Sequence, residues 1–255
     1  MKKNASNNLD TVINQLFDEF LKADKVLDDP ILLSFMLKTI KHLGEIQDFR
    51  GMYKKYFIPK TNEYIVDLRK AINGSRFKKF ITNEFIDLEE NKNETIRLAV
   101  VGIFHKYESF RKDLIRNLNE QLNAKGINSD VQEYAQKHYG FSMRENWKNS
   151  TLFEVNWICN RIKHDSSLPI SFEKPSQSIP SKFENLDLDR KIVITSSEFY
   201  TYCDSIYQYC QDLFHLFNKI NLKIQLEDIS IDDEMGQLLD LNIKQRIELL
   251  NNRSD

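Results

Sequence analysis

The stretch TIRLAVVGIFHKYESFRKDLIRNLNEQLNAKG, residues 95–126, decides how the chain folds. Its apolar members Ile96, Ala99, Val100, Ile103, Phe104, Tyr107, Phe110, Leu114, Ile115, Leu118 and Leu122 recur at steps of three and four, the period of one helix face. Lys125-Gly126 closes the pattern, since glycine takes the left-handed backbone that ends a helix at no steric cost. Some 30 residues of helix span ~45 Å, the width of a domain. Such a helix is a natural backbone for a bundle.

Shorter patterns flank it. Towards the N-terminus, Leu9, Val12, Ile13, Leu16, Phe17, Phe20 and Leu21 form an amphipathic stripe over 9–26. A second helix is expected over 31–43, stopped by Gly44, and a short one over 45–58, ended by Pro59. Thr61 or Asn62 can cap a helix that stops at Asn73-Gly74, and Ser75 starts another through Leu88. Asn91-Lys92-Asn93-Glu94 reads as a polar break and marks the one subdomain boundary. Beyond the long pattern, short helices are expected from Ser129 or Asp130 to Tyr139, stopped by Gly140, and from about 149 to 165. Residues 166–195 hold Pro169, Pro175 and Pro180 and break the pattern. There 191–195 can form a short strand paired with 169–172. A helix starts at Ser196 or Ser197 with Glu198 and runs to Phe217, and a last one covers about 233–250. The expected fold is all-α, a helical bundle with at most one short β-hairpin. Its expected regions are 1–90, 91–222 and 223–255.

Composition agrees with helices and excludes several classes. Seven Gly and five Pro in 255 residues are few against usage of about 7% and 5%, so hairpins are scarce. Lys and Arg (36) nearly balance Asp and Glu (38). A surface built to hold duplex nucleic acid everywhere carries a basic excess, so any nucleic-acid contact here is local. Cys159, Cys203 and Cys210 show no C-x-x-C spacing. Cys203 and Cys210 fall in an apolar helical pattern and read as small buried hydrophobes, without a metal site or cofactor. Reduced thiols fit a cytoplasmic protein. The polar N-terminus leads into no apolar signal core. The longest apolar run, 98–104, is far short of the ~20 residues of a membrane helix. Phosphate-loop, dinucleotide, serine-hydrolase and zinc-protease signatures are missing.

The polar residues that can carry chemistry gather near residue 160. Asn160 and His164 are four apart, so on a helix they share a face that Phe153 and Trp157 continue. Two readings fit His164: an imidazole that moves a proton or holds a phosphate, and a histidine settled at a helix C-terminus by the dipole. Asn160 can hydrogen-bond a ribose, a phosphate oxygen or the ring beside it, and can equally satisfy a loop. Arg161 and Lys163 suit a phosphodiester and also a solvated helix end. Glu108 on the long helix borders the core; it can orient a cation or imidazole from the later helix, or pair with Lys112. Arg111, Lys112 and Arg116, and separately Arg76, Lys78 and Lys79, are basic clusters that fit an RNA backbone or a solvated face.

The arrangement over 96–217 resembles the HEPN superfamily of bacterial helical domains. An acidic residue sits in a long helix as Phe104-His105-Lys106-Tyr107-Glu108. A later helix ends in Cys159-Asn160-Arg161-Ile162-Lys163-His164, like the family's R-N-x-x-x-H, and a loop and a long helix follow. The resemblance implies a metal-independent endoribonuclease of a toxin or antiphage defence system, working as a homodimer with its motifs facing one another, with a cognate antitoxin or defence partner. It implies His164 as acid/base, Asn160 as the orienting group and Glu108 as support. Arg161, Lys163 and Arg111 are, from their positions alone, the candidate RNA contacts, though on a helix Arg161 points about 100° away from Asn160. The family's arginine position holds Cys159, which cannot neutralise a phosphate. A helical interaction or RNA-binding module without catalysis is the alternative, and a nucleotide sensor a third.

Overall fold

A computed structural model describes residues 30–84, 87–148, 151–163, 180–183, 192–226 and 233–252. The described elements are helical: α1 (Pro30–Met52), a π-helical stretch (Tyr53–Phe57), α2 (Ile58–Gly74), α3 (Lys78–Glu84), α4 (Leu88–Ala124), α5 (Val131–Tyr139), α6 (Met143–Lys148), α7 (Thr151–Lys163), a 3-10 turn (Ser181–Phe183), α8 (Ser196–Leu226) and α9 (Asp233–Asn251). No strand occurs among the described residues, and the fold is an all-α bundle.

Where local geometry alone decides, the helix ends fall as the sequence predicts. Gly126 (φ 73°) follows α4, with Gly126 N–H bonded to Asn123 O (3.0 Å) and Ile127 N–H to Leu122 O (2.9 Å), a Schellman closure. Gly140 (φ 69°) ends α5, and Asp130 starts it by accepting the Gln132 N–H at 2.8 Å. Thr195, one residue before the expected start, caps α8. Its Oγ1 accepts the Glu198 N–H (3.2 Å) while Glu198 Oε2 accepts the Thr195 N–H (2.7 Å).

Several expected breaks are absent. α1 runs through Gly44 to Met52, because an interior glycine costs only about 1 kcal/mol of helix propensity. Pro59 does not stop the chain either. The π-helical stretch just before it bonds Ile58 N–H to Tyr53 O, five residues back, which shifts the ladder where proline lacks a donor. The polar run 91–94 does not break the helix, since α4 starts at Leu88 and continues through it. Asp87 caps that start by accepting the Glu90 N–H at 3.0 Å. α8 likewise extends past Phe217 to Leu226, and α6 is a helix that the sequence reading left out. The expected strand at 191–195 is not formed at 192–195. There Ile192 O accepts from Arg97 and Thr195 caps α8; its supposed partner, 169–172, lies outside the described residues.

The chain divides into two compact units that are not the consecutive blocks expected at 90 and 222. The first takes the described parts of Met1–Ile46, Lys106–Asn146 and Gln208–Asp255. Its core holds Phe35, Leu43, Phe110, Leu118, Phe141, Phe214, Phe217 and Ile243, with Phe35 and Phe214 rings 5.8 Å apart. Asn146 is a buried tie-point there, donating to Leu250 O (3.0 Å) and accepting from the Tyr209 hydroxyl (2.9 Å). The second unit takes the described parts of Gln47–His105 and Trp147–Tyr207. Ile96, Val100, Ile103, Val155, Ile158, Phe199 and Ile206 fill it. Gly102 lets Phe49 approach closely, since a Cβ there would sit 2.5 Å from the ring.

Candidate functional site

In the second unit, α7 carries the motif. Cys159 is fully buried, and its thiol donates to Val100 O on α4 at 3.5 Å. The position that the HEPN pattern reserves for arginine is therefore sealed in packing and tied to a backbone carbonyl. Asn160 is half-buried, Arg161 is buried with 7% of its surface exposed, and Lys163 is exposed at the helix end. His164 lies outside the described residues. On the N-terminal side of the motif, Trp157 is buried and stacks on Phe183, centroids 4.9 Å apart and planes 15° from parallel.

The 3-10 turn that brings Phe183 onto Trp157 is held by a polar cluster that sequence reading missed. Lys182 Nζ lies 3.2 Å from Glu154 Oε1, 2.7 Å from Glu198 Oε1 and 2.8 Å from the Tyr202 hydroxyl, which itself donates to Glu154. Burial pulls the Lys182 ammonium down, but bonds to Glu198 and Tyr202 and the Glu154 charge outweigh it and leave it raised. Burial pushes Glu198 up; the Lys182 and Thr195 bonds outweigh that and hold it below the ordinary carboxylate range. Burial, then the Glu154 bond, pushes the Tyr202 phenol up. No residue spacing announces this cluster, because its members come from three separate stretches.

A second missed centre is Arg97, buried with 2% exposure. Its Nε donates to Glu94 (2.9 Å), its Nη1 to Ile192 O (3.1 Å), and its Nη2 to Glu94 (2.6 Å) and to Glu90. The spacing Glu90, Glu94, Arg97 is a helical i−7, i−3 set. Its acids belong to the helix only because α4 begins at Leu88, ahead of the polar run 91–94.

The first unit holds the remaining candidates, Glu108 and Arg111, on the second half of α4. Both are half-buried beside the fully buried Tyr107. Burial and then the nearby Cys210 push that phenol up; Arg111 opposes the shift and Glu108 adds to it. Arg111 also lines an open, shallow groove along α4 with Lys112, Ile115, Arg116, Asn119, Glu120 and Asn123, with space of about 440 Å³ over it. The three cations share this groove with Glu120. Arg116 is braced by Asp113 (2.7 Å), whose other oxygen bonds His42 Nε2 (2.8 Å). Asn119 donates to Asp130 (2.6 Å) and accepts the Val131 N–H (2.7 Å), fixing the start of α5 at the groove. Of the two basic clusters seen in the sequence, Arg111, Lys112 and Arg116 lie together along this shallow groove. In the other, Arg76 lies over the Phe77 ring at 4.8 Å.

The thiols behave as buried hydrophobes: burial pushes Cys203 up to about 12 and Cys210 well above its ordinary value. Neither is a thiolate nucleophile at neutral pH. Among the described residues no group of three or more His, Cys, Asp or Glu is gathered as metal ligands, and no helix is long and apolar enough to cross a membrane. Comparison with family models, with curated proteins and with solved structures found no match to this chain.

Proposed function

We propose that this chain is a HEPN-like protein that acts on RNA, in the cytoplasm and in a toxin or phage-defence setting. The observation that carries the reading is the open, shallow groove along α4, where Arg111, Lys112 and Arg116 are presented together on one side of the helix. Arg111, Lys112 and Arg116, set against Glu120 and the Asp113 that braces Arg116, leave a small positive excess that attracts a polyanion. Asn123, exposed beside them, adds an amide that bonds phosphate or ribose oxygens. A patch of this size suits a local contact with a strand, which is what an overall charge of −2 allows.

Cutting, in this reading, belongs to the end of α7. His164 passes the proton between the ribose 2′-hydroxyl and the leaving oxygen, and Asn160 orients the reacting group. Charge on the phosphate needs a cation as well. Lys163, exposed at the helix end, is the candidate, because Cys159 and Arg161 are buried. Those two burials favour a second reading, in which the chain binds RNA and does not cut it.

The experiment is incubation of the full chain with single-stranded RNA in EDTA, alongside His164→Ala and Asn160→Ala, with binding followed by fluorescence anisotropy. Cleavage that persists without metal and is lost in His164→Ala supports the nuclease. Binding by all three proteins with intact RNA selects the non-cutting reading. Absence of binding by the wild type overturns both.

A further inference from the structure

Among the described residues, exposed large apolar side chains concentrate in one part of the second unit: Met52, Tyr56, Phe57, Tyr64, Val66, Phe77 and Phe80. The helix α2 gives that surface a pattern. Ile58, Ile65 and Ile72, seven apart, are buried and fasten α2 to its own unit. Beside them runs a second row, Phe57, Thr61, Tyr64, Leu68 and Ala71, spaced four, three, four and three. This is the spacing of a helix–helix seam. It is left open to water: Phe57 is 50% and Tyr64 60% exposed, Ala71 is exposed, and Thr61 and Leu68 are half-buried. Aromatic rings left exposed on one helix face are a feature of docking sites.

We propose that a second copy of this chain covers the seam, α2 packing antiparallel on α2 about a two-fold axis at Tyr64. The row is complementary to itself in that arrangement and in no parallel one. Residues whose numbers sum to about 128 then meet. Phe57 of each copy falls on Ala71 of the other, a large side chain on a small one, twice. Tyr64 stacks on its own equivalent. Lys60 comes beside Asp67 of the second copy, and Asp67 beside Lys60. A parallel pairing would set Lys60 on Lys60 and Asp67 on Asp67, with Ala71 opposite Ala71. The pairs made now within the helix, Lys60–Glu63 (2.5 Å) and Asp67–Lys70 (3.4 Å), are solvent-exposed and hold their partners weakly, so they exchange at little cost. The contact is isologous and closes at two copies. It stands on α2 alone and does not depend on the RNA reading.

The test is sedimentation of the full chain over about 1 to 100 µM, since a single seam near the low end of interface sizes fits a micromolar dimer. The expected result is a monomer–dimer equilibrium. Tyr64→Glu weakens it by about 100-fold, the loss of a central aromatic anchor. Lys60→Glu and Asp67→Lys each weaken the dimer, and the double exchange restores it, a recovery that damage to folding would not give. Tyr64→Cys, on the axis, cross-links two chains under mild oxidation, while Asn62→Cys on another face of α2 does not; the native cysteines are buried and silent. A wild type that stays monomeric throughout overturns the proposal. So does a dimer indifferent to Tyr64→Glu, or a monomer that binds an RNA oligomer only when Tyr64 is intact.

Discussion

Replacing Arg97 with Met removes a buried guanidinium while keeping most of its volume, and the structure sets the size of the effect. Three groups lose a partner: Glu90, Glu94 and the carbonyl of Ile192. The two carboxylates have 29% and 50% of their side chains exposed, so water takes over part of their hydrogen bonding. The Ile192 carbonyl belongs to a residue with 1% exposure and is left unsatisfied, which costs about 1–3 kcal/mol. Adding a discounted share for the carboxylates gives a loss of about 2–4 kcal/mol, below the full cost of breaking a sealed ion pair. Urea unfolding followed by circular dichroism measures it as a fall in midpoint with unchanged slope. Hydrogen exchange locates it, because the amides of 192–195 lose the anchor that joins them to α4. A loss below about 0.5 kcal/mol, the ordinary range for surface substitutions, would refute the reasoning.

Three further outcomes follow from the second unit. Glu198 is held below its ordinary pKa, so its contribution to stability is present at neutral pH and is lost as pH falls below about 4. Lys182 and Tyr202 are raised, so theirs is present below about 10 and is lost as pH rises beyond it. Thermal melts across pH should therefore fall at both ends, and Lys182→Met should lower the neutral plateau and flatten the acid limb; an unchanged acid limb counts against the cluster. Cys159→Arg, which would complete the R-N-x-x-x-H pattern, places a charge where exposure is zero and should cost about 4 kcal/mol or prevent folding. A well-folded variant with new EDTA-resistant cleavage would show that position to be open. Gly102→Val should lower the melting temperature, because crowding against Phe49 costs about 1–3 kcal/mol, more than the valine gains in helix propensity; an equal or higher value removes the close approach as its explanation.

What the sequence made legible was what neighbours along the chain decide. Gly126 and Gly140 end helices because the left-handed turn is a local property. The apolar row of α4 is buried as its period requires, with Ile115 half-buried in the groove as its one departure. Gly44, Pro59 and the polar run 91–94 misled for the opposite reason. Tertiary packing overrides a helix-propensity cost of about 1 kcal/mol, a π-helical stretch absorbs a proline, and Asn and Lys sit comfortably on a solvated helix face. The division into units was illegible because α1, α4 and α8 each run from one unit into the other. At the candidate site, the four-residue step from Asn160 could be read from order alone. Whether Cys159 and Arg161 face water could not, since a helix period gives relative directions and only packing chooses which one points inward.

RNA engagement through the α4 groove is the claim on which the functional account turns, and the salt dependence of binding tests it most directly. With single-stranded RNA, the slope of log K against log salt changes by about 0.7 for each phosphate that the protein no longer neutralises. Replacing Arg111, Lys112 and Arg116 together with Ala should flatten it by about 2 and weaken binding at every salt concentration. An affinity and a slope identical to those of the wild type would contradict the account.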